Sequence, residues 1–221
     1  LTGHRTGAAG ALAAKYLAAP QASTAGFVGA GTQAKHQFRF LKRVRPISSV
    51  RVYDVDKSRA EQFVEMAKTA GVADARAVST SKEAVEADIV TTTTPGRGPV
   101  CAASAFRPGT HVNAIGADAP GKQELPPEIL FRAKVVVDHR EQAVHSGEVN
   151  IPIARGLYRA EKIYAELCEI VSGQRPGRES EKEITIFDST GLAIQDIAVA
   201  KRVYDLAMDK RMGKKVDLVI A

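Results

Sequence analysis

Hydrophobic positions along the chain follow two periods in turn. Short runs rich in β-branched residues alternate with longer stretches whose apolar residues recur at helical spacing. The short runs predict strands at residues 24–28, 50–53, 75–78, 89–93, 111–115 and 134–137. The longer stretches predict helices at residues 32–44, 58–70, 82–86 and 127–132. Strands that alternate with helices are typical of an α/β fold with a doubly wound, mainly parallel sheet.

The two ends of the chain differ from this middle part. Small, helix-favouring residues at 6–17 predict a slim helix, which Pro20 ends. After Asp138 the only predicted strand is at 184–187, and helices are expected at 141–146, 160–172 and 192–210. We therefore expect a boundary near Gly147, with three segments: residues 1–20, 21–147 and 148–221.

A glycine-rich loop, Gly29-Ala30-Gly31-Thr32-Gln33-Ala34, lies directly between the first predicted strand and the next helix. In a GxGxxA loop the first glycine permits the tight turn and the second lets the backbone approach a pyrophosphate. The alanine allows close packing of helix on strand, and the helix N-terminus attracts the phosphates. This placement indicates a Rossmann-type domain, residues 21–147, that binds a dinucleotide.

Asp54 follows the second strand, 20 positions after Ala34. A carboxylate at this position accepts hydrogen bonds from the ribose hydroxyls of the adenosine half and repels a 2′-phosphate. The alternative is a turn or N-cap aspartate before the helix near Lys57. Together with the glycine loop, Asp54 favours NAD. Lys57 and Arg59 offer charges to a phosphate, so NADP is disfavoured but not excluded.

Two further polar segments follow predicted strands. The threonines at 91–94 either line the cofactor, because ligands bind at strand ends in open α/β sheets, or reflect β-propensity alone. Residues 113–125 run from a strand into a glycine-punctuated turn that carries Asp118 and Lys122. Asp118 is either a general base or water activator beside a nicotinamide, or part of a solvated turn.

Composition narrows the function classes. The net charge of +6 is spread along the chain without interleaved aromatics, so we expect no nucleic-acid partner. No apolar run approaches the ~18 residues of a membrane span, and we expect no membrane association. Cys101 and Cys168 lie far apart, and the five histidines show no ligand spacing. We therefore predict no disulfide framework and no metal, in a reducing, cytoplasmic setting.

Four segments together resemble the ornithine cyclodeaminase/mu-crystallin family over essentially the whole chain. They are Leu1-Thr2-x-x-Arg5-Thr6-Gly7-Ala8, the glycine loop, residues 113–125 and residues 187–196. The amino-acid sequences of the last two segments are most similar to those of the archaeal-type alanine dehydrogenases of that family. The resemblance implies a homodimer and a segment before Leu1 that supplies much of a substrate domain, a catalytic lysine and a carboxylate-binding arginine. Residues 1–20 would then be a linker helix of that domain, and residues 148–221 a helical return to it.

The resemblance also implies NAD-dependent oxidative deamination of L-alanine to pyruvate and ammonia. Asp118 matches the family's acid/base aspartate, and Arg5 matches a residue that binds the substrate carboxylate or the pyrophosphate. The positions implied around the cofactor are Arg5, Thr6, Gly29, Gly31, Gln33, Ala34, Asp54, Thr92, Ala114, Ile115, Gly116, Lys122 and Ser189. Ser189 also suits an N-cap. The alternatives are ornithine cyclodeamination with recycled NAD, cyclic-imine reduction, and mu-crystallin-like binding of NADP without catalysis.

Overall fold

The computed structural model of the protein describes residues 1–214 and residue 216. The helices are α1 (Thr2–Leu17), α2 (Thr32–Leu41), α3 (Lys57–Thr69), α4 (Ser81–Val85), α5 (Pro127–Leu130), α6 (Arg140–Ser146), α7 (Asn150–Ala154), α8 (Leu167–Val171) and α9 (Ala193–Asp209). The strands are β1 (Thr24–Val28), β2 (Ser49–Tyr53), β3 (Asp74–Ala77), β4 (Ile89–Thr92), β5 (His111–Ala114), β6 (Ala133–Val137), β7 (Ala165–Glu166) and β8 (Ile184–Asp188). Short 3-10 turns lie at Ala103–Ala105 and Ala160–Lys162.

The described strands form one sheet in the order β3-β2-β1-β4-β5-β8-β6-β7, and every recorded pairing is parallel. The prediction of a doubly wound parallel sheet is confirmed. The strand order reverses beside β1, where Phe27 pairs with Val52 of β2 on one side and with Thr91 of β4 on the other. Such a reversal opens a crevice at the carboxyl ends of the strands, where ligands bind in this class of sheet.

The core lies on both faces of the sheet because successive side chains of a strand point to opposite faces. On one face Phe27 packs with Phe38 of α2 and Phe63 of α3, with ring centroids 6.1 and 4.8 Å from that of Phe27. Val28, the next residue of β1, belongs to a separate apolar cluster with Val90 and others. Helices therefore cover both faces and leave the carboxyl ends of the strands free.

Strand β8 changes the domain division expected from the sequence. All five of its residues are buried, and it lies between β5 and β6, with Ile186 paired to Val112 and to Val135. The structure therefore corrects the boundary near Gly147, because the segment up to Asp188 returns to the same sheet. A fully buried strand of this kind is stable only where a neighbour covers each edge and each face.

The helix expected at residues 160–172 is also corrected. The chain instead forms a 3-10 turn, the two-residue strand β7 and the short helix α8. Glu166 has extended backbone angles, and its side chain and that of Glu169 form a reciprocal capping box, with Glu166 N donating to Glu169 Oε2 at 2.7 Å. A capping box marks a helix start, so α8 begins only after Glu166.

Helix α1 packs on the same body through small residues. An added Cβ at Gly7 would lie 2.8 Å from Phe40 Cδ2 and 2.9 Å from His36 O of α2. Asn113 Nδ2 on β5 donates to Gly10 O at 3.1 Å. The expected linker helix is therefore fastened to the sheet, with its first turns near the carboxyl ends of the strands.

Helix α9 has no buried residue along its length. Ile194, Ile197, Val203 and Tyr204 are all exposed on it. Within the part of the chain that the structure describes, no helix has both the length and the apolar character that crossing a membrane requires.

Candidate active site

Most of the sequence-predicted site residues come together at one edge of the sheet. The loops that follow β1, β2, β4, β5 and β8 begin at Gly29, Asp54, Thr93, Ile115 and Ser189. Because parallel strands present their carboxyl ends on the same side, these loops form the walls of one region. Two cavities open there, and Gly31 lines one while Gln33 lines the other. The Gly29–Gln33 turn therefore lies between them.

The glycine loop has the geometry that its sequence predicts. Gly29 has φ of +93°, and an added Cβ would approach Thr93 O to 2.9 Å. Gly31 has ordinary extended angles, but an added Cβ there meets no described atom within 4 Å, so it points into open space. No side chain caps the start of α2 among the described residues. The N–H groups of its first turn thus remain available to an anion.

Asp54 is tied to the glycine loop. Its Oδ2 accepts a hydrogen bond from Ala30 N at 2.7 Å, and its Oδ1 accepts one from Asp56 N at 2.9 Å. The N-cap of α3 is Asp56, whose side chain accepts from Ser58 N, so the N-cap alternative for Asp54 is wrong while a turn role is present. These two bonds fix the carboxylate in the lining of the larger cavity.

The larger cavity has a volume of ≈ 500 Å³. Its walls come from the ends of β1, β2 and β4, and they include Gly29, Gly31, Tyr53, Asp54, Thr93 and Thr94. Sequence reasoning expected Thr92 at the cofactor. Thr92 is fully buried beneath the groove, and the next two threonines face the cavity instead. Strand β4 ends at Thr92, and the cavity lining begins at the next residue, Thr93.

The smaller cavity, of ≈ 80 Å³, gathers residues that are far apart in sequence. Its lining includes Arg5, Thr6, Gln33, Ile115, Asp118 and Ser189. Three buried polar atoms in this lining, Thr6 Oγ1, Gln33 Oε1 and Ser189 Oγ, have no hydrogen-bond partner among the residues that the structure describes. Buried polar atoms normally carry a partner, so this cluster is suited to a polar ligand.

Ser189 is not an N-cap, because α9 begins after Leu192 and no side chain caps it in the described structure. Its hydroxyl therefore remains available to the smaller cavity. Arg5 is held by the first turn of α9: its Nε lies 3.3 Å from Asp196 Oδ2, and its Nη1 donates to Gln195 Oε1 at 3.4 Å. Arg5 is thus already oriented at the cavity wall.

Asp118 and Lys122 form an ion pair on the turn after β5. Lys122 Nζ lies 2.7 Å from Asp118 Oδ1 and also donates to Gly116 O at 3.4 Å. The Asp118 side chain is 56% exposed, so solvent or a ligand can contact it. Asn150 holds the turn from below, donating to Lys122 O at 3.0 Å and accepting from Gly121 N at 3.3 Å.

Three other predicted cofactor positions, Ala34, Ala114 and Gly116, present no side chain to either cavity. Ala34 and Ala114 are fully buried, so their methyl groups pack in the core and do not face a cavity. Gly116 donates its N–H to Glu124 Oε2 at 2.8 Å, and an added Cβ would lie 2.5 Å from Thr94 O. These positions shape the site without a side-chain contact to it.

Sequence reasoning missed a cluster of buried carboxyl groups behind the smaller cavity. Its members are Glu124, Asp138, Glu148 and Asp188. Burial, with the charges of Glu124 and Asp188, holds the pKa of Glu148 well above its ordinary value. Burial also raises the pKa of Glu124, and it raises that of Asp188 to about 7. The sequence does contain one signal for this cluster: Asp138 and Asp188 lie at the ends of apolar runs that form buried strands.

Asp138 shows what such a group does for the site. Its Oδ1 accepts from Thr190 Oγ1 at 2.7 Å, and its Oδ2 accepts from Gly191 N at 2.6 Å. The loop that carries Ser189 is therefore fastened to β6.

Comparisons with known proteins agree with this arrangement. Residues 1–211 match the profile of the ornithine cyclodeaminase/mu-crystallin family. Alanine dehydrogenase from Archaeoglobus fulgidus is 51% identical over 215 residues, which are 97% of this chain and 66% of that protein. The chain thus spans just under two thirds of the length of that relative.

Two solved structures are similar throughout this chain. An archaeal alanine dehydrogenase dimer with bound NAD has a TM-score of 0.95 and 50% identity, covering 98% of this chain and 67% of that one. Delta(1)-pyrroline-2-carboxylate reductase from Thermococcus litoralis, in complex with NADH and L-proline, has a TM-score of 0.94 and 40% identity. That match covers 97% of this chain and 67% of the other.

Proposed function

This chain belongs to the ornithine cyclodeaminase/mu-crystallin family, and we propose that it is the dinucleotide-binding part of an NAD-dependent amino-acid dehydrogenase. The observation that carries the proposal is the paired cavities at the carboxyl ends of the strands, joined by the glycine loop. The site fits a dinucleotide. The open space at Gly31 and the uncapped start of α2 suit a pyrophosphate, while the unpartnered atoms of Thr6, Gln33 and Ser189 suit polar groups beyond it.

NAD is preferred to NADP because Asp54 stands at the larger cavity with both oxygens fixed by backbone amides. A fixed carboxylate accepts hydrogen bonds from ribose hydroxyls and repels a 2′-phosphate. Arg59, which lines the same cavity, is paired with Asp56 at 3.3 Å, which reduces its availability to a phosphate. Tighter binding of NADP than of NAD in a calorimetric titration would contradict this assignment.

The chemistry divides between the cofactor and this chain. When bound, NAD supplies the acceptor for a hydride from the substrate carbon. Asp118 accepts protons and activates the water that converts an imine to a ketone and ammonia, because it is exposed at the cavity that receives the reacting group. Lys122 holds its carboxylate in place, and Arg5 holds an anionic group of the substrate or the cofactor.

We propose L-alanine as the substrate, since the 51% identity to an alanine dehydrogenase extends over nearly the whole chain. The test uses the complete gene product with L-alanine and NAD. Build-up of NADH with release of pyruvate and ammonia supports the proposal. Ammonia and proline from ornithine without net NADH would instead support cyclodeamination.

The role of Asp118 is tested by Asp118→Asn, which keeps the shape of the side chain but cannot accept a proton. Loss of a general base typically costs about 10²–10⁴-fold in rate. Asp74→Asn is the matched control because Asp74 is exposed on β3. Retained turnover in Asp118→Asn, at the level of that control, would refute the assignment.

A second candidate is cyclic-imine reduction, which the 40% identity and TM-score of 0.94 to a pyrroline-carboxylate reductase favour. Oxidation of NADH with Δ1-pyrroline-2-carboxylate, faster than NADH formation from alanine, would favour this candidate over the first. We further propose that the intact protein is a homodimer, as the alanine dehydrogenase of solved structure is. Sedimentation analysis of the complete gene product measures this directly.

A further inference from the structure

We propose that Glu124 is a positioning residue that clamps the loops after β4 and β5 to each other, and so fixes the two cavities relative to one another. The inference rests on the proposed binding of a dinucleotide across these cavities. It concerns a residue that is fully buried and touches neither cavity.

The clamp begins where the pairing of the two strands ends. The register of β4 and β5 stops at Thr92 and Ala114, and the last ladder bond runs from Ile115 N to Thr92 O at 3.0 Å. Beyond this point the Glu124 carboxylate connects the two loops. Its Oε1 accepts from Thr94 N at 2.5 Å, and its Oε2 accepts from Gly116 N at 2.8 Å. One side chain therefore links two loops that no longer pair directly.

Glu124 itself is held in place from behind. Its own N–H donates to both Glu148 oxygens, at 3.0 and 3.1 Å, and Leu125 N donates to Glu148 Oε2 at 2.9 Å. The space around it is full, since an added Cβ at Gly116 would lie 2.6 Å from Glu124 Oε1. A buried side chain with both ends fixed has little freedom to let the loops separate.

The two clamped loops belong to different cavities. Thr93 and Thr94 line the larger cavity, while Ile115 and Asp118 line the smaller one. The affinity for a ligand that spans both cavities depends on the distance between them. The affinity for a ligand that occupies only one cavity does not. Releasing the clamp therefore weakens the binding of a whole dinucleotide more than the binding of either of its halves.

The test compares NAD with AMP on this chain by isothermal titration calorimetry. Glu124→Gln keeps the size of the side chain but turns an amide donor towards one of the two backbone N–H groups. We expect the Kd for NAD to rise about tenfold, as for loss of one hydrogen bond to a charged group. The Kd for AMP stays within about twofold, because AMP needs only the larger cavity. Glu128→Gln is the control, an exposed glutamate on the same segment.

A merely structural role gives a different pattern. Equal weakening of NAD and AMP, or no change in either, would overturn the proposal even if the melting temperature falls. Glu124→Asp is the second variant, because a side chain shorter by one methylene cannot reach both amides, and the same selective loss is expected. If it binds NAD as the wild type does, the clamp is refuted.

Hydrogen exchange separates this inference from the proposed function. In the ligand-free wild-type chain the Thr94 and Gly116 amides are expected to be protected, and both variants are expected to exchange them faster than the Glu128→Gln control does. Failure of the wild type to bind NAD would defeat the proposed function alone. Unprotected amides in the wild type would defeat the clamp alone.

Discussion

The buried carboxyl group of Asp188 makes this fold less stable as the pH rises. Asp188 is fully buried at the end of β8, and neither of its oxygens accepts a well-formed hydrogen bond among the residues that the structure describes. Burial, reinforced by the charge of Asp138, raises its pKa to about 7 from 3.8. Because the folded state binds the proton more tightly than the unfolded chain, the stabilisation is complete below pH 3.8 and is lost as the pH approaches 7.

The size of the effect follows from the two pKa values. Each unit of difference corresponds to about 1.4 kcal/mol, so ionising Asp188 in the folded state costs about 4 kcal/mol of unfolding free energy above pH 8. About 3 kcal/mol of this loss develops between pH 5 and pH 8. Asp188→Asn removes the charge at nearly constant volume. It also removes one of the charges that raise the pKa of Glu148, which acts in the same direction.

We therefore expect Asp188→Asn to gain stability over the wild type by about 3 kcal/mol more at pH 8 than at pH 5. The assay is urea unfolding followed by circular dichroism at both pH values, because the chain has no tryptophan for fluorescence. Asp209→Asn, an exposed aspartate at the end of α9, is the control. A stability difference for Asp188→Asn that is the same at pH 5 and pH 8 would refute the reasoning.

Two glycines give further predictions. Gly31→Ala is expected to cost about 1 kcal/mol or less in stability, as at other helix N-caps, yet to raise the Kd for NAD at least about tenfold because the methyl group enters the open groove. Calorimetric scanning and titration measure the two effects, and unchanged NAD affinity would contradict the proposed phosphate position. Gly7→Ala is expected to destabilise the chain by about 1–3 kcal/mol, since its Cβ would press on Phe40 and His36. Helix propensity alone predicts that this substitution stabilises the chain by about 1 kcal/mol. The sign of the change in unfolding free energy, measured by urea unfolding, therefore distinguishes the two expectations.

Local pattern was sufficient for the part of the site that is built from neighbouring residues. The turn from β1 into α2 has a residue with positive φ, Gly29, and then a small residue, Gly31, whose added Cβ would point into open space. The position of Asp54 after β2 was likewise readable, because the strand's period and end are local properties. Its bond to Ala30 N, which makes the carboxylate rigid, was not readable from spacing.

The sequence by itself determined the alternation of strands and helices and the glycine loop, because each depends on residues a few positions apart. It left Asp118 either as a general base or as part of a solvated turn, and only the family resemblance implied the acid/base role. Only the tertiary structure decided that β8 enters the sheet beside β5 and that α1 brings Arg5 and Thr6 to the same cavity. It also decided which carboxyl groups are buried. Strand order, helix packing and burial depend on contacts between distant segments, and the free energy of those contacts is not encoded in the spacing of neighbouring residues.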